Sequence, residues 1–261
     1  MLRSLQTAAT GMDAQQSLID TLSNNIANVN TTSFKRSRAH FNDLLYQNLR
    51  APGMASVAGT VTPSGIQVGG GVKLTSVEKM FEEGSVKITK NDTDLMVKGR
   101  GFFRIQMPDG SVSYTRDGTF RRSNDGKLTT AEGLPLLPEI IIPPNATQLK
   151  VGMDGVASVV VSGEIEPRSL GQIQIANFIN PAGLNAIGRN LYTATAASGE
   201  PVVGNPGENG SGLLGQGELE ASNVNIVDEM VSMIMGQRAY ELNSKVIKTD
   251  DEILAATNQL R

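Results

Sequence analysis

The chain has 261 residues, a net charge of −3 and a pI near 5.3, so bulk charge draws it neither to nucleic acid nor to anionic lipid. It has no cysteine, which excludes a disulfide framework and thiolate chemistry. Aromatics are only 4%, Trp is absent and Gly reaches 28 residues, so either the core is lean or neighbouring copies supply part of the burial.

The length suits one large domain or two modest ones. From Leu2 to about Asn30 there is no Pro, and Gly11 is the one Gly. Leu5, Met12, Ile19 and Ile26 stand seven apart, and Ala8, Gln15, Leu22 and Val29 form a second row three residues on. That is the seam pattern of a coiled coil, so the spacing predicts a helix. Asn24, Asn25, Asn28 and Asn30 crowd its end. They read either as fraying before a turn or as amides that bond across a helical interface and fix its register. The run Lys35-Arg36-Ser37-Arg38 reads as a solvated or interfacial patch, and His40 as a partly exposed residue on a helix end. Arg50 to Val72 is rich in Gly, Ser, Thr and Pro, the composition of a linker or extended arm.

An antiparallel β domain is expected from about Lys73 to Glu220. Four Asp-Gly pairs, at 109, 117, 125 and 154, read as hairpin corners. Strands are expected at Gly101 to Met107, Ser111 to Thr115, Ile140 to Ile142, Val156 to Val161 and Gln172 to Ile175, and Gly199 to Gly217 reads as a loop. Beyond Ser222-Asn223, a plausible N-cap, Ile226, Met233, Tyr240, Ile247 and Leu254 again stand seven apart. Val227, Met230, Val231 and Ile234 widen that stripe, and Gly236 lies inside it. The expected organisation is α+β, with a helix over 1–33, an extended linking arm over 34–72, a β-rich domain over 73–221 and a helix over 222–261. The two ends form one discontinuous two-helix coiled-coil unit whose stripes are too wide for two thin helices to cover, and the residual stripe is a docking surface.

No constellation for catalysis emerges. A single His without Cys argues against zinc, and the Gly-rich stretches at Gly69 and Gly99 lack the following residues of a phosphate loop. Glu82-Glu83 and Asp250-Asp251-Glu252 read as solvated faces. Met1 to Asp20 has no secretory signal pattern, and no apolar stretch approaches the ~20 residues of a membrane span.

Four motifs carry a resemblance. Ser23 to Lys35, with Asn24, Asn25, Asn28, Asn30, Phe34 and Lys35, resembles the N-terminal signature of the flagellar rod and hook proteins. Ser222 to Ile226, with Asn223, and Gln237-Arg238-Ala239-Tyr240-Glu241 resemble that family's C-terminal motif. Gly101-Phe102-Phe103 and Tyr114 to Phe120 resemble its shared β segments, and Asp43 to Gly71 resembles the arm of its distal-rod member. One departure is Ser33, which stands where the family usually has Gly.

The resemblance implies a structural subunit of the flagellar distal rod, without cofactor or enzymatic activity. Terminal helices that order on assembly would pack into an inner tube, and copies would repeat head to tail along an open helix. Implied partners are further copies of itself, the proximal rod proteins, the hook protein, the L and P ring proteins as a bushing, and the flagellar type III export apparatus. Export without a cleaved signal peptide, a place in the periplasm-spanning rod and torque transmission through it follow from the same resemblance. Another axial subunit, proximal rod or hook, is the near alternative. A secreted adhesin or enzyme with axial-type ends is the distant one.

Overall fold

The computed structural model describes residues 2–50, 64–161, 167–208 and 210–259. Of the expected arm, residues 51–63 lie outside the described residues. The fold is α+β, and the chain divides into two compact units. One comprises Met1–Ala27, Ser37–Lys79 and Asn225–Arg261, the other Asn28–Arg36 and Met80–Val224.

The first unit holds both long helices, α1 (Leu2–Ala27) and α2 (Ile226–Gln259). α1 runs through Asn24 and Asn25 and ends within the Asn-rich segment, where Asn28 turns the chain. Its carbonyl accepts from the Thr31 amide at 3.1 Å, and its side-chain oxygen accepts from the Thr31 hydroxyl at 3.1 Å. Asn28, Val29 and Asn30 therefore lie beyond the helix. α2 starts from Asn225, whose Oδ1 accepts from the Val227 amide at 3.1 Å, with Asp228 and Glu229 placed at the positive end of the helix dipole.

Strand Ser37–Asp43 pairs antiparallel with Val72–Lys79 across a bulge at His40/Phe41, and Gln47–Arg50 pairs with Ile66–Val68. The described parts of the 34–72 segment are thus largely a two-stranded ribbon. His40 belongs to that ribbon and not to a helix end. The alternation of Arg38, His40 and Asn42 with Ala39 and Phe41 has the period of a strand.

The second unit is built on antiparallel strands. Its seven-stranded sheet runs in the order Asn185–Gly188, Leu191–Thr193, Val112–Thr115, Phe102–Gln106, Ile175–Asn177, Val202–Gly204, with Leu136–Leu137 also pairing Phe102–Gln106. A three-stranded sheet joins Ala146–Val151, Val156–Val161 and Arg168–Gln172. Leu95, Phe103, Ile105, Phe120, Leu128, Leu136, Ile173 and Ile175 form the main core, and Phe81, Phe102, Tyr114, Phe178 and Tyr192 stack edge to face in a second cluster.

Three of the Asp-Gly pairs are turns whose glycines adopt positive φ: Gly110, Gly126 and Gly155. The one at Asp117 is not a hairpin corner. A Cβ at Gly118 would overlap the Leu95 carbonyl oxygen, so this Gly serves close backbone approach. Ile140 to Ile142 forms no strand. Its buried Ile140 and Ile142 fill the core while Ile141 makes a single bridge to Lys127. The expected loop from Gly199 to Gly217 contains strands Val202–Gly204 and Leu213–Gln216.

Candidate functional site

Two features of the chain are candidates for function. The first is the helix pair. α1 and α2 run antiparallel, as four contacts show in succession. The Ser4 hydroxyl bonds Asp250, a Cβ on Gly11 would meet Asn243 at 2.8 Å, a Cβ on Gly236 would meet Ile19 at 3.4 Å, and Asn25 Nδ2 donates to Glu229 Oε2 at 3.0 Å. The α2 members of this series, Glu229, Gly236, Asn243 and Asp250, are seven apart. They form a small and polar row facing α1, which a search for apolar periodicity passes over. Asp250, read from sequence as solvated, belongs to it.

Asn25 is the amide that bonds across the helix pair. It is buried, donates to the Ser37 carbonyl at 2.9 Å as well as to Glu229, and accepts from the Ser37 amide at 2.8 Å. Asn24 and Asn30 are exposed.

Of the seam residues expected from sequence, Leu22 is buried, and Leu5, Met12, Ile19, Ile26, Met233, Ile247 and Leu254 are half-buried. Val29, past the helix end, is half-buried, while Ile226, Met230 and Tyr240 are exposed, as are Gln237 and Arg238. The rest of α2's apolar residues point outward. Val227 is 66% exposed and Leu242 62%, and Val231, Ile234, Val246 and Ile253 are each exposed. Together they make an uncovered apolar stripe along the helix.

The second feature lies wholly within the β unit. Lys35, read from sequence as part of a solvated or interfacial patch, is 0% exposed. Its Nζ sits 2.5 Å from Glu220 Oε1 and donates to the Glu82 carbonyl at 2.6 Å. Burial lowers the Lys35 amine below the ordinary lysine value against the opposing pull of Glu220. The same carboxylate accepts from the Gly84 amide at 2.9 Å and from Arg116 Nη1 at 3.4 Å. Arg116 in turn donates to the carbonyls of Gly101, at 3.0 Å, and Gly99, and lies 5.6 Å from the Phe102 ring centre.

Around this triad the motif residues interlock. Ser33 has φ of 56°, the left-handed region that suits Gly, and its hydroxyl donates to the Arg116 carbonyl at 2.8 Å. Phe34 is buried. Asn223 is not a helix cap but a connector, accepting from the Arg36 amide at 2.8 Å and donating to the Met80 carbonyl at 2.8 Å. Glu220 and Arg116 were not singled out in the sequence. Their only signal there is position, inside the Tyr114 to Phe120 segment and just before the Ser222 motif.

A helical unit made from both ends of a chain, with a β unit inserted between them, defines a class of axial subunit, and three family models match it here. Residues 5–35 match the flagella basal body rod protein model, 96–159 the flagellar hook protein FlgE/F/G D1 domain, and 216–260 the flagellar basal body rod FlgEFG protein C-terminal model. Full-length relatives narrow this. The flagellar basal-body rod protein FlgG of Buchnera aphidicola subsp. Schizaphis graminum is 48% identical over 260 residues, covering 100% of both chains. That of Borreliella burgdorferi is 47% identical over 100% of this chain and 99% of its own, and that of Bacillus subtilis 40% identical over 97% of each. The chain belongs to the FlgG family of flagellar basal-body rod proteins. Membership makes it a structural subunit of the flagellar distal rod, in a family that is not a class of enzymes. Self-assembly and association with other basal-body components follow.

Proposed function

We propose that copies of this chain polymerise head to tail through the uncovered apolar face of α2 into a stiff tube that carries torque from motor to hook. The supporting observation is that stripe itself. Val227, Met230, Val231, Ile234, Leu242, Val246 and Ile253 lie open along one helix. Each such side chain gains about 1.5–3 kcal/mol when fully withdrawn from water, and a repeated heterologous contact extends without closing. The ribbon Gln47–Arg50 and Ile66–Val68, with Leu49 and Ile66 exposed, is the base of an arm that braces adjacent copies and keeps the tube straight.

In this reading the proximal rod and hook proteins continue the same packing at either end. The L and P rings surround the tube as a bushing as it crosses the periplasm. Subunits leave the cell through the flagellar type III apparatus, and no catalytic step is involved. Electron microscopy of the purified chain under assembly conditions tests the central claim. Wild type forms tubes, and Val231→Asp and Leu242→Asp, both on the open face, stay monomeric with unchanged helix content. Tubes from either variant would refute the assignment of that face.

A further inference from the structure

The chain passes between its two units four times, after Ala27, Arg36, Lys79 and Val224. Within the β unit, the segments beside those crossings are bonded to one another. The Ser33 amide donates to the Glu220 carbonyl at 2.8 Å, the Met80 amide to the Arg36 carbonyl at 2.9 Å, and the Ala221 amide to the Ser85 carbonyl at 2.8 Å. Asn223 joins Arg36 to Met80, and Asn190 Nδ2 reaches the Thr32 carbonyl at 3.0 Å. At the centre is the Glu220 carboxylate. It takes Lys35 from the first segment and the Gly84 amide from the second, and through Arg116 it is joined to the carbonyls that precede strand Phe102–Gln106.

We infer that Lys35, Arg116 and Glu220 form a mechanical clamp that locks the lead-in segments of the β unit into one cooperative body, so that force entering by the helices loads them together. Two physical arguments support this. An ion pair buried this deeply is a poor way to gain stability, since apolar residues of similar volume often serve as well or better, but removing one member leaves the others' charges buried and uncompensated, so the three groups hold or fail as a unit. The bonds to one carboxylate are also coupled through it: displacing Glu220 weakens its contacts with Lys35, the Gly84 amide and Arg116 at once, whereas independent contacts at separate crossings are lost one at a time.

The mechanical role rests on the torque-carrying function proposed above, but the clamp is tested on the isolated chain. Amide hydrogen exchange on the purified full-length protein is the measurement. Ser33, Met80, Gly84 and Ala221 should exchange as one group with a common protection factor. Glu220→Gln should lower protection of all four by roughly tenfold or more while that of Phe103 and Ile105 in the sheet stays unchanged. Four unrelated protection factors, or a loss confined to Gly84, would overturn the clamp. Should Glu220→Gln loosen the sheet as well, Ser33→Ala, which removes the hydroxyl that bonds the Arg116 and Glu220 carbonyls and no charge, carries the same test, and a loss confined to residue 33 would overturn the clamp. A cooperative group in a chain that never forms tubes would refute the assembly through α2 proposed above and leave the clamp standing.

Discussion

At Ser33 two effects of similar size oppose each other. Holding a residue with a Cβ in the left-handed region costs about 1–2 kcal/mol, which Gly would not incur. The buried hydroxyl returns about 1 kcal/mol through its bond to the Arg116 carbonyl. Ser33→Gly is therefore expected to change stability by no more than about 1 kcal/mol, whereas Ser33→Ala, which keeps the strain and loses the bond, should cost about 1 kcal/mol by urea denaturation. Tyr192 gives a pH signature. Burial pushes its hydroxyl up from 10.0 to about 12, so between those values the folded chain keeps a proton the unfolded chain has lost. Its contribution is intact below pH 10 and falls by about 3 kcal/mol as pH rises to 12. Lys35 acts in the opposite sense. Its amine is lowered from 10.5, so its contribution rises with pH below that value. Comparing alkaline unfolding of wild type with Tyr192→Phe isolates the tyrosine, and equal pH dependence in the two would contradict this account. Ser33 was legible in the sequence as a residue standing where the family usually has Gly, but the buried charge beside it was not. Lys35 sits in a basic run that reads as solvated or interfacial, and the carboxylate that buries it lies 185 residues away.

Among the elements, the helices were the most legible, because a repeat of seven survives any context. What the repeat could not reveal was α2's polar row, since Glu229, Gly236, Asn243 and Asp250 carry no apolar signal. A Gly inside a helix, such as Gly236, ordinarily weakens it by about 1 kcal/mol relative to Ala. In the structure it is a buried contact facing Ile19, with ordinary room for one methyl group. Gly236→Ala should thus add up to ~1 kcal/mol through helix propensity, and Gly236→Leu should wedge α1 from α2, both measurable by circular dichroism during thermal unfolding. The ribbon Ser37–Asp43 with Val72–Lys79 escaped notice because its strands are separated by a Gly- and Pro-rich stretch whose composition reads as linker. Among the turns, Gly118 looked like its Asp-Gly neighbours, and only the Leu95 backbone lying against it distinguishes close packing from a corner. Gly118→Ala should cost ~1–3 kcal/mol or more on that account, against a few tenths at an open surface site.

For the whole molecule, two compact units with separate hydrophobic contacts predict separable unfolding. Ile19→Asp places a charge between α1 and α2. Helical signal at 222 nm should then be lost at a lower temperature while the near-ultraviolet signal of the Phe and Tyr cluster holds. Simultaneous loss of both would show that the units cannot be uncoupled. The discontinuity of the helical unit also sets an order of events on the ribosome. α1 ends at Ala27 and its partner begins only at Ile226, so at ~5–20 residues per second the nascent chain spends roughly ten seconds or more with its first apolar ridge unmatched. The face proposed to recruit other copies lies on α2 and does not yet exist during that interval. Synthesis order thereby keeps chains still on the ribosome from nucleating polymer on one another.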